Sequence, residues 1–255
     1  MLKIYKIGGG IIDNEVELSD FLHLFSQEKS PKILVHGGGK GASKLLQQLG
    51  IEPKMVDGRR ITDQETLNVV TGLYAGNINK SIVAQLQKFN INALGLSGAD
   101  ANCITATKRP VHTIDYGFVG DLDEKSVDAA RLQSFIESNL TPVLCAITHD
   151  KKGNLYNTNA DTIASQVAIA LSKFYQVELN FCFDKVGVLR DINDDSSLIS
   201  SINNKEYQQL KADKIIFEGM IPKLDNAFEV IAAGVKQVNL VHALNIHTET
   251  KTVLC

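Results

Sequence analysis

Two rhythms of apolar and polar positions take turns along this chain. Short apolar, β-rich runs end in glycine, and longer stretches with apolar residues three and four apart follow them. "LKIYKI" (2–7) predicts a first strand, with Gly8–Gly10 as its exit loop. "DNEVELSDFLHLFSQEK" carries Val16, Phe21, Leu22, Leu24 and Phe25 at helical spacing, with Ser19-Asp20 near its start. Residues 33–36 predict a second strand that empties into Gly37–Gly39. "ASKLLQQLG" then predicts a helix stopped by Gly50. Thr62 with Glu65 three residues later forms a capping box, so a long helix is expected over "TDQETLNVVTGLYAGNINKSIVAQLQKF", broken near Gly76.

The alternation continues. "NALGLSG" (92–98) is a strand into glycine, and "GFVGDLDEK" a hairpin fragment or strand end. "AARLQSFIESN" is a helix, "TPVLCAIT" a strand, "ADTIASQVAIALSKF" a helix and "VELNFCFDKVGVLRD" a strand into a turn. "PKLDNAFEVIAAG" is a helix with Pro222 in its first turn and Gly234 as its stop, and "VKQVNLVHA" and "TKTVLC" are closing strands. Strands alternating with helices predict an α/β fold with a mainly parallel sheet, whose ligands sit at the carboxyl ends of the strands. A lobe boundary is expected near residues 172–178.

Composition narrows the class. The chain has 255 residues, 44% hydrophobic, with a formal net charge of −3. No basic stripe suggests a nucleic-acid partner, and no apolar run is long enough to cross a membrane. Cys103, Cys145, Cys182 and Cys255 are far apart without a CxxC, which points to free thiols in a reducing, cytoplasmic setting and not to zinc or disulfides. The histidines show no metal-binding spacing, so no metal ligand is assigned.

The glycine loop in "KILVHGGGKGASKLL" (32–46) fails the Walker pattern, because Gly41 follows Lys40 where Ser or Thr is required. Gly37-x-Gly39-x-x-Ala42 matches a dinucleotide fingerprint. However, no strand-like run leads to Glu52 or Asp57, the nearby acidic candidates. What remains is a backbone cradle for an anion, helped by a helix N-terminus. "KIGGG" (6–10) offers a second glycine loop with Lys6 beside it. A buried lysine there is expensive unless an anion neutralises it. Lys223 stands in a helix's first turn, where a cation is unfavourable unless a phosphate shares the site. In "NTNAD" (157–161), Asp161 can hold two lysines in place. Glycine amides, two lysines and a positioning carboxylate suit phosphoryl transfer, and a carboxylate acceptor would need no general base.

"KIGGG", "VHGGGKG", "DGRRIT", "NTNAD", "FDKVGVL" and "EGMIPK", in this order, resemble the amino acid kinase family along the whole chain. The resemblance implies a three-layer α/β/α sandwich in one domain (1–255). An N-lobe of about 1–174 would bind an acyl amino acid and dimerise, and a C-lobe of about 175–255 would bind ATP. It implies transfer of the γ-phosphate of ATP to the side-chain carboxylate of N-acetyl-L-glutamate, in the second step of arginine biosynthesis. N-succinyl-L-glutamate is an alternative acceptor. Another member's reaction, or a non-catalytic sensor on the same fold, is a competing reading.

By the same resemblance Lys6 and Lys223 stabilise the moving phosphoryl group and Asp161 orients them. Gly8, Gly9, Gly38 and Gly39 donate backbone hydrogen bonds to it. Arg60 holds the substrate α-carboxylate, and Asn157 and Asn159 bind near it. Asp184, Lys185, Gly187, Leu189, Phe217 and Gly219 line the nucleotide site, and Mg2+ arrives on the phosphates. Phe183 stands where relatives carry Ser or Thr, Lys185 where an apolar residue is usual, and Ala101 and Lys251 where glycine is common. With the first strand at residue 2, a homodimer without arginine inhibition is expected.

Overall fold

The protein is described from a computed structural model covering every residue except 57, 58, 214 and 217–219. Eight strands form one sheet: β1 (Leu2–Ile7), β2 (Lys32–His36), β3 (Ala93–Leu96), β4 (Thr141–Cys145), β5 (Val177–Phe183), β6 (Ser201–Ile202), β7 (Gln237–His242) and β8 (Lys251–Leu254). Their order across the sheet is β6-β8-β7-β5-β1-β2-β4-β3. Only β7 and β8 run antiparallel; the other neighbours are parallel. The helices are α1 (Gly9–Ile12), α2 (Glu15–Gln27), α3 (Gly41–Gln48), α4 (Gln64–Thr71), α5 (Asn79–Lys88), α6 (Ala129–Glu137), α7 (Ala160–Leu171), α8 (Asn204–Ala212) and α9 (Ile221–Ala232).

Strand alternation sorts β1 onto two helical layers. Tyr5 meets the rings of Phe21 and Phe25 on α2, with centroids 6.4 and 5.3 Å away. Ile4 and Lys6 face the opposite layer, where α7 packs across β1, β2 and β5. The core is continuous through both layers and includes Ile4, Tyr5, Phe21, Val35, Val143, Ile163, Leu179 and Leu240.

Chain order places the site. After β1 the chain lays β2 beside it, then β3 at the far edge and β4 between them, and crosses back to lay β5 on the other side of β1. The carboxyl ends of β1 and β5 therefore flank a topological switch point, the position where open α/β sheets bind ligands. Lys6 lies at that end of β1 and Phe183 at that end of β5. The glycine loops after β1 and β2 open beside them.

Several local predictions need correction. Asn14, not Ser19-Asp20, starts α2: its side chain accepts from the amides of Val16 and Glu17. Asp63, not Thr62, caps α4, with its carboxylate accepting from the Thr66 amide. Thr62 is instead buried in a bridge to Gly117. The helix does not break at Gly76. It passes through a π-helical turn over Gly72–Ile78 and continues as α5. Residues after Gly8 are not simply loop, because Gly8 caps the single turn α1. The sequence reading also missed α8, although Asn203 and Glu206 form a reciprocal capping box at its start.

Candidate active site

Lys6 projects from β1 toward the first turn of α7. Its ammonium lies 2.8 Å from an Asp161 carboxylate oxygen, and both side chains keep partial solvent access. Asp161 is held there by the way α7 begins. The Asn159 side-chain oxygen accepts from the amides of Asp161 and Thr162, at 2.8 and 3.1 Å. A carboxylate in the first turn also suits the helix dipole. Asn159 lines the cavity, but its acceptor oxygen is committed to this cap, leaving only its amide NH2 for a ligand.

The two glycine loops press together. A Cβ on Gly9 would lie 2.5 Å from the Gly39 Cα, and one on Gly38 would enter the Tyr74 ring at 1.6 Å. Gly39 has φ +59°. These glycines are required by close approach and, at Gly39, by backbone conformation. Gly8 departs from its expected role. Its N–H extends the β1–β5 ladder by donating to the Cys182 carbonyl at 3.2 Å, so it is already engaged. Gly9, Gly38 and Gly39 line the cavity and Gly8 does not.

The anion-binding helix N-terminus anticipated after the second loop is already filled from within. The Asp13 carboxylate accepts from the amides of Lys40 and Gly41, at 2.8 and 3.1 Å. It sits where an added Gly39 Cβ would fall.

A cavity of about 320 Å³ extends from Lys6 and Asp161 past Gly37–Gly39 to Arg60 and Asn157. Arg60 is buried, with one guanidinium nitrogen donating to Ser43 Oγ at 2.9 Å; its Nη1 is buried with no partner among the described residues. Such a cation invites an acceptor. Asn157 donates to Thr62 Oγ1 at 3.1 Å. Bridges Thr62–Gly117 and Val119–Asn157 stitch this wall together, and an added Gly117 Cβ would lie 2.2 Å from the Thr62 carbonyl oxygen. Arg59, Arg109 and Tyr74 also line the cavity, and the sequence reading assigned none of them. Arg109 is paired bidentately with Asp121. Burial raises the Tyr74 hydroxyl above the usual phenol range, with Arg60 opposing the shift.

Lys223 does not reach Asp161. In place of the expected lysine–aspartate–lysine arrangement, the ammonium lies over the Phe183 ring, 5.1 Å from its centroid. The two residues nonetheless border one smaller cavity of about 240 Å³, together with Asn159, Phe181 and Pro222. Asn226 on α9 donates to Ser165 on α7 at 2.9 Å, which ties the two helices together there. The aromatic face offers the Lys223 ammonium a cation–π contact.

A third cavity, about 700 Å³, opens on the other side of Lys223. Asp184, Lys185, Gly187 and Leu189 line it with Ile192, Ile215 and Ile216. Thr252 fixes this loop from below. Its buried hydroxyl accepts from the Val188 amide at 2.8 Å and donates to the Ile199 carbonyl at 2.6 Å. A Cβ on Gly187 would lie 2.6 Å from that hydroxyl. Phe217 and Gly219, expected at the same cavity, lie outside the described residues, as do Asp57, Gly58 and Glu218 of the quoted motifs.

Residues 1–242 match the amino acid kinase family, and the chain belongs to that family. Within it, the acetylglutamate kinase of Bacteroides fragilis is 52% identical over 251 residues, covering 98% of this chain and 95% of that protein. The acetylglutamate kinase of Bacteroides thetaiotaomicron is 54% identical over 237 residues, covering 93% and 91%. The solved structure of smu.665 from Streptococcus mutans superposes with a TM-score of 0.79 at 25% identity, covering 99% of this chain and 98% of that one.

Proposed function

We propose that this chain phosphorylates the side-chain carboxylate of N-acetyl-L-glutamate with ATP, giving N-acetyl-L-glutamyl 5-phosphate and ADP, the second step of arginine biosynthesis. The carrying observation is the charge of the glycine-lined cavity. Arg60 closes one end and Lys6 the other, and Asp161 is the one carboxylate among its lining residues. A ligand with a carboxylate at each end complements that arrangement, and the acetylglutamate kinase relatives agree with it.

In this reading Arg60 and Asn157 hold the α-carboxylate end, with the Asn159 amide beside them. The side-chain carboxylate, already ionised, attacks the γ-phosphorus without a general base. A new O–P bond forms as the bond to the bridging oxygen breaks, and ADP leaves with that electron pair. Gly9, Gly38 and Gly39 amides, Lys6 and Lys223 meet the charge on the moving phosphoryl group, and Asp161 keeps Lys6 in place. Lys223 would leave the Phe183 ring for the phosphates, since a cation–π contact is worth only about 0.5–2 kcal/mol.

ATP takes the larger cavity beyond Lys223. Mg2+ would arrive with ATP and be held chiefly by its phosphates. The two halves of the sheet either side of the β1–β5 boundary would act as acyl-substrate lobe (about 1–174) and nucleotide lobe (about 175–255). A cytoplasmic homodimer fits the family; no helix among the described residues is long and apolar enough to cross a membrane.

A second acceptor, N-succinyl-L-glutamate, is favoured by one observation: Arg59 adds a cation to the same cavity, where a further carboxylate could bind, whereas Arg109 is already paired with Asp121. The test is ATP-dependent acyl phosphate, trapped as hydroxamate, with both acyl glutamates in parallel and ADP release measured alongside. Acetyl-dependent hydroxamate supports the main reading, and succinyl-only turnover moves the assignment to the second. No hydroxamate from either would overturn both acceptors and leave another family member's reaction or a non-catalytic binding protein.

A further inference from the structure

The helix that carries Lys223 is held from behind by a side chain outside both ligand cavities. Tyr207 on α8 is buried to 1% exposure, and its hydroxyl lies 2.6 Å from a carboxylate oxygen of Asp225 on α9. The hydroxyl has one proton, and the short contact to a charged acceptor takes it. The Ile221 carbonyl, at 3.3 Å, is a secondary neighbour. Lys211 approaches both oxygens of Asp225, at 3.1 and 3.2 Å. The Tyr207 ring also stacks on Phe228, with centroids 5.1 Å apart and planes inclined by 21°. Burial and the Asp225 contact together raise the phenol far above its usual range, so it stays protonated as the donor.

Helical geometry links this contact to Lys223. Asp225 follows Lys223 by two positions, a rotation of about 200° around the axis, so the two side chains leave α9 on nearly opposite faces. Asp225 points to α8, whereas Lys223 points to the cavities beside Asp161 and Phe183. Fixing Asp225 therefore fixes the direction in which Lys223 leaves the helix. The α9 start has no side-chain cap of its own. Its first turn is Ile221-Pro222-Lys223, and Pro222 has no N–H to donate. Tyr207 supplies an external anchor beside that turn.

We propose that Tyr207 is a positioning residue for phosphoryl transfer, acting through Asp225 to aim Lys223. The inference rests on the reading of Lys223 as the lysine that stabilises the moving phosphoryl group. A misaimed group of that kind lowers turnover more than ground-state affinity, because its contact is made in the transition state.

The test is Tyr207→Phe, which keeps the stacked ring and removes the hydroxyl, assayed with and without Lys223→Ala. The expected result is a kcat lower by about fivefold, with KM for both substrates within about twofold. In the Lys223→Ala background the same change should alter kcat by less than about 1.5-fold, because its target is gone. Asp225→Asn, which weakens the contact from the other side, should reproduce the split and serves if Tyr207→Phe folds poorly. Unchanged kcat in folded Tyr207→Phe or Asp225→Asn, beside a crippled Lys223→Ala, overturns the positioning role alone. Equal losses in both backgrounds overturn it too, since the effect then bypasses Lys223. Full activity of Lys223→Ala instead removes the reading of Lys223 itself, and the inference with it.

Discussion

Lys6 and Asp161 join one of the two central strands of the sheet to the first turn of α7 through a 2.8 Å ion pair at the switch point of the fold. The Asn159 cap fixes the carboxylate, so the lysine is aimed from a rigid helix end. Asp161→Asn keeps the shape and removes the charge. We expect kcat to fall about 10²-fold with KM for ATP changed by less than about threefold. Steady-state ADP release checks this; a larger effect on KM than on kcat would move Asp161 into ground-state binding. Because both side chains are partly exposed, little change in unfolding midpoint is expected.

The glycines of the two loops differ in what they tolerate. Gly38→Ala forces a methyl into the Tyr74 ring and should cost about 1–3 kcal/mol of stability, along with most activity. Gly10→Ala meets nothing within 4 Å and should be neutral, or stabilising by about 0.5 kcal/mol, with activity retained. Urea titrations of both variants decide the point. Equal destabilisation would mean that close packing does not explain the glycines.

Thr252 is expected to report on the nucleotide side alone. Thr252→Val leaves the Val188 amide and the Ile199 carbonyl without their partner and should cost about 1–3 kcal/mol. Loosening that loop should raise KM for ATP about fivefold, corresponding to about 1 kcal/mol of binding, and leave KM for the acyl substrate unchanged. A parallel rise in both would show that the two cavities are not independently supported.

His36 sets a pH dependence of stability. It is fully buried, with Nδ1 2.8 Å from the Gly37 carbonyl oxygen and Nε2 3.0 Å from the Asn79 side-chain nitrogen. Burial is the main cause that pushes its pKa down to about 4, assisted by the nearby Lys80 charge. The unfolded chain binds this proton at about pH 6.5, well before the native state does. Stability is therefore full above that pH and declines as pH falls toward 4. The share from His36 between pH 6.5 and 5 is about 1.5 kcal/mol. Replacing it by Gln should flatten the pH slope of the urea midpoint in that window. Glu28, held down at about 2 by the ion pair and hydrogen bonds that outweigh its burial, acts in the same direction but only below about pH 4.5, its ordinary value.

Much of the fold was legible because period and punctuation agree locally. β1, β2, α3 and α7 each carry their apolar pattern together with a glycine or asparagine boundary. The site residues in "KIGGG", "GGG" and "NTNAD" came into view because glycine and charge stand where a simple turn needs neither. What escaped depends on contacts far apart in sequence. Nothing local indicates that Asp13 reaches across to the Lys40 amide or that the Gly8 amide completes a ladder with β5. The Tyr74 ring covers Gly38 only because a π-helical turn presents it. Lys223 falls in between: its helix was readable, but its resting place on Phe183 follows from strand order and packing.

Asp13 carries a last consequence. By accepting from the amides of Lys40 and Gly41, its carboxylate serves as a built-in acceptor for the second glycine loop. The loop thus keeps its curvature without borrowing a phosphate from a passing nucleotide. The curvature of that cavity wall is therefore set by the chain's own residues, through a contact that spans 27 positions of sequence.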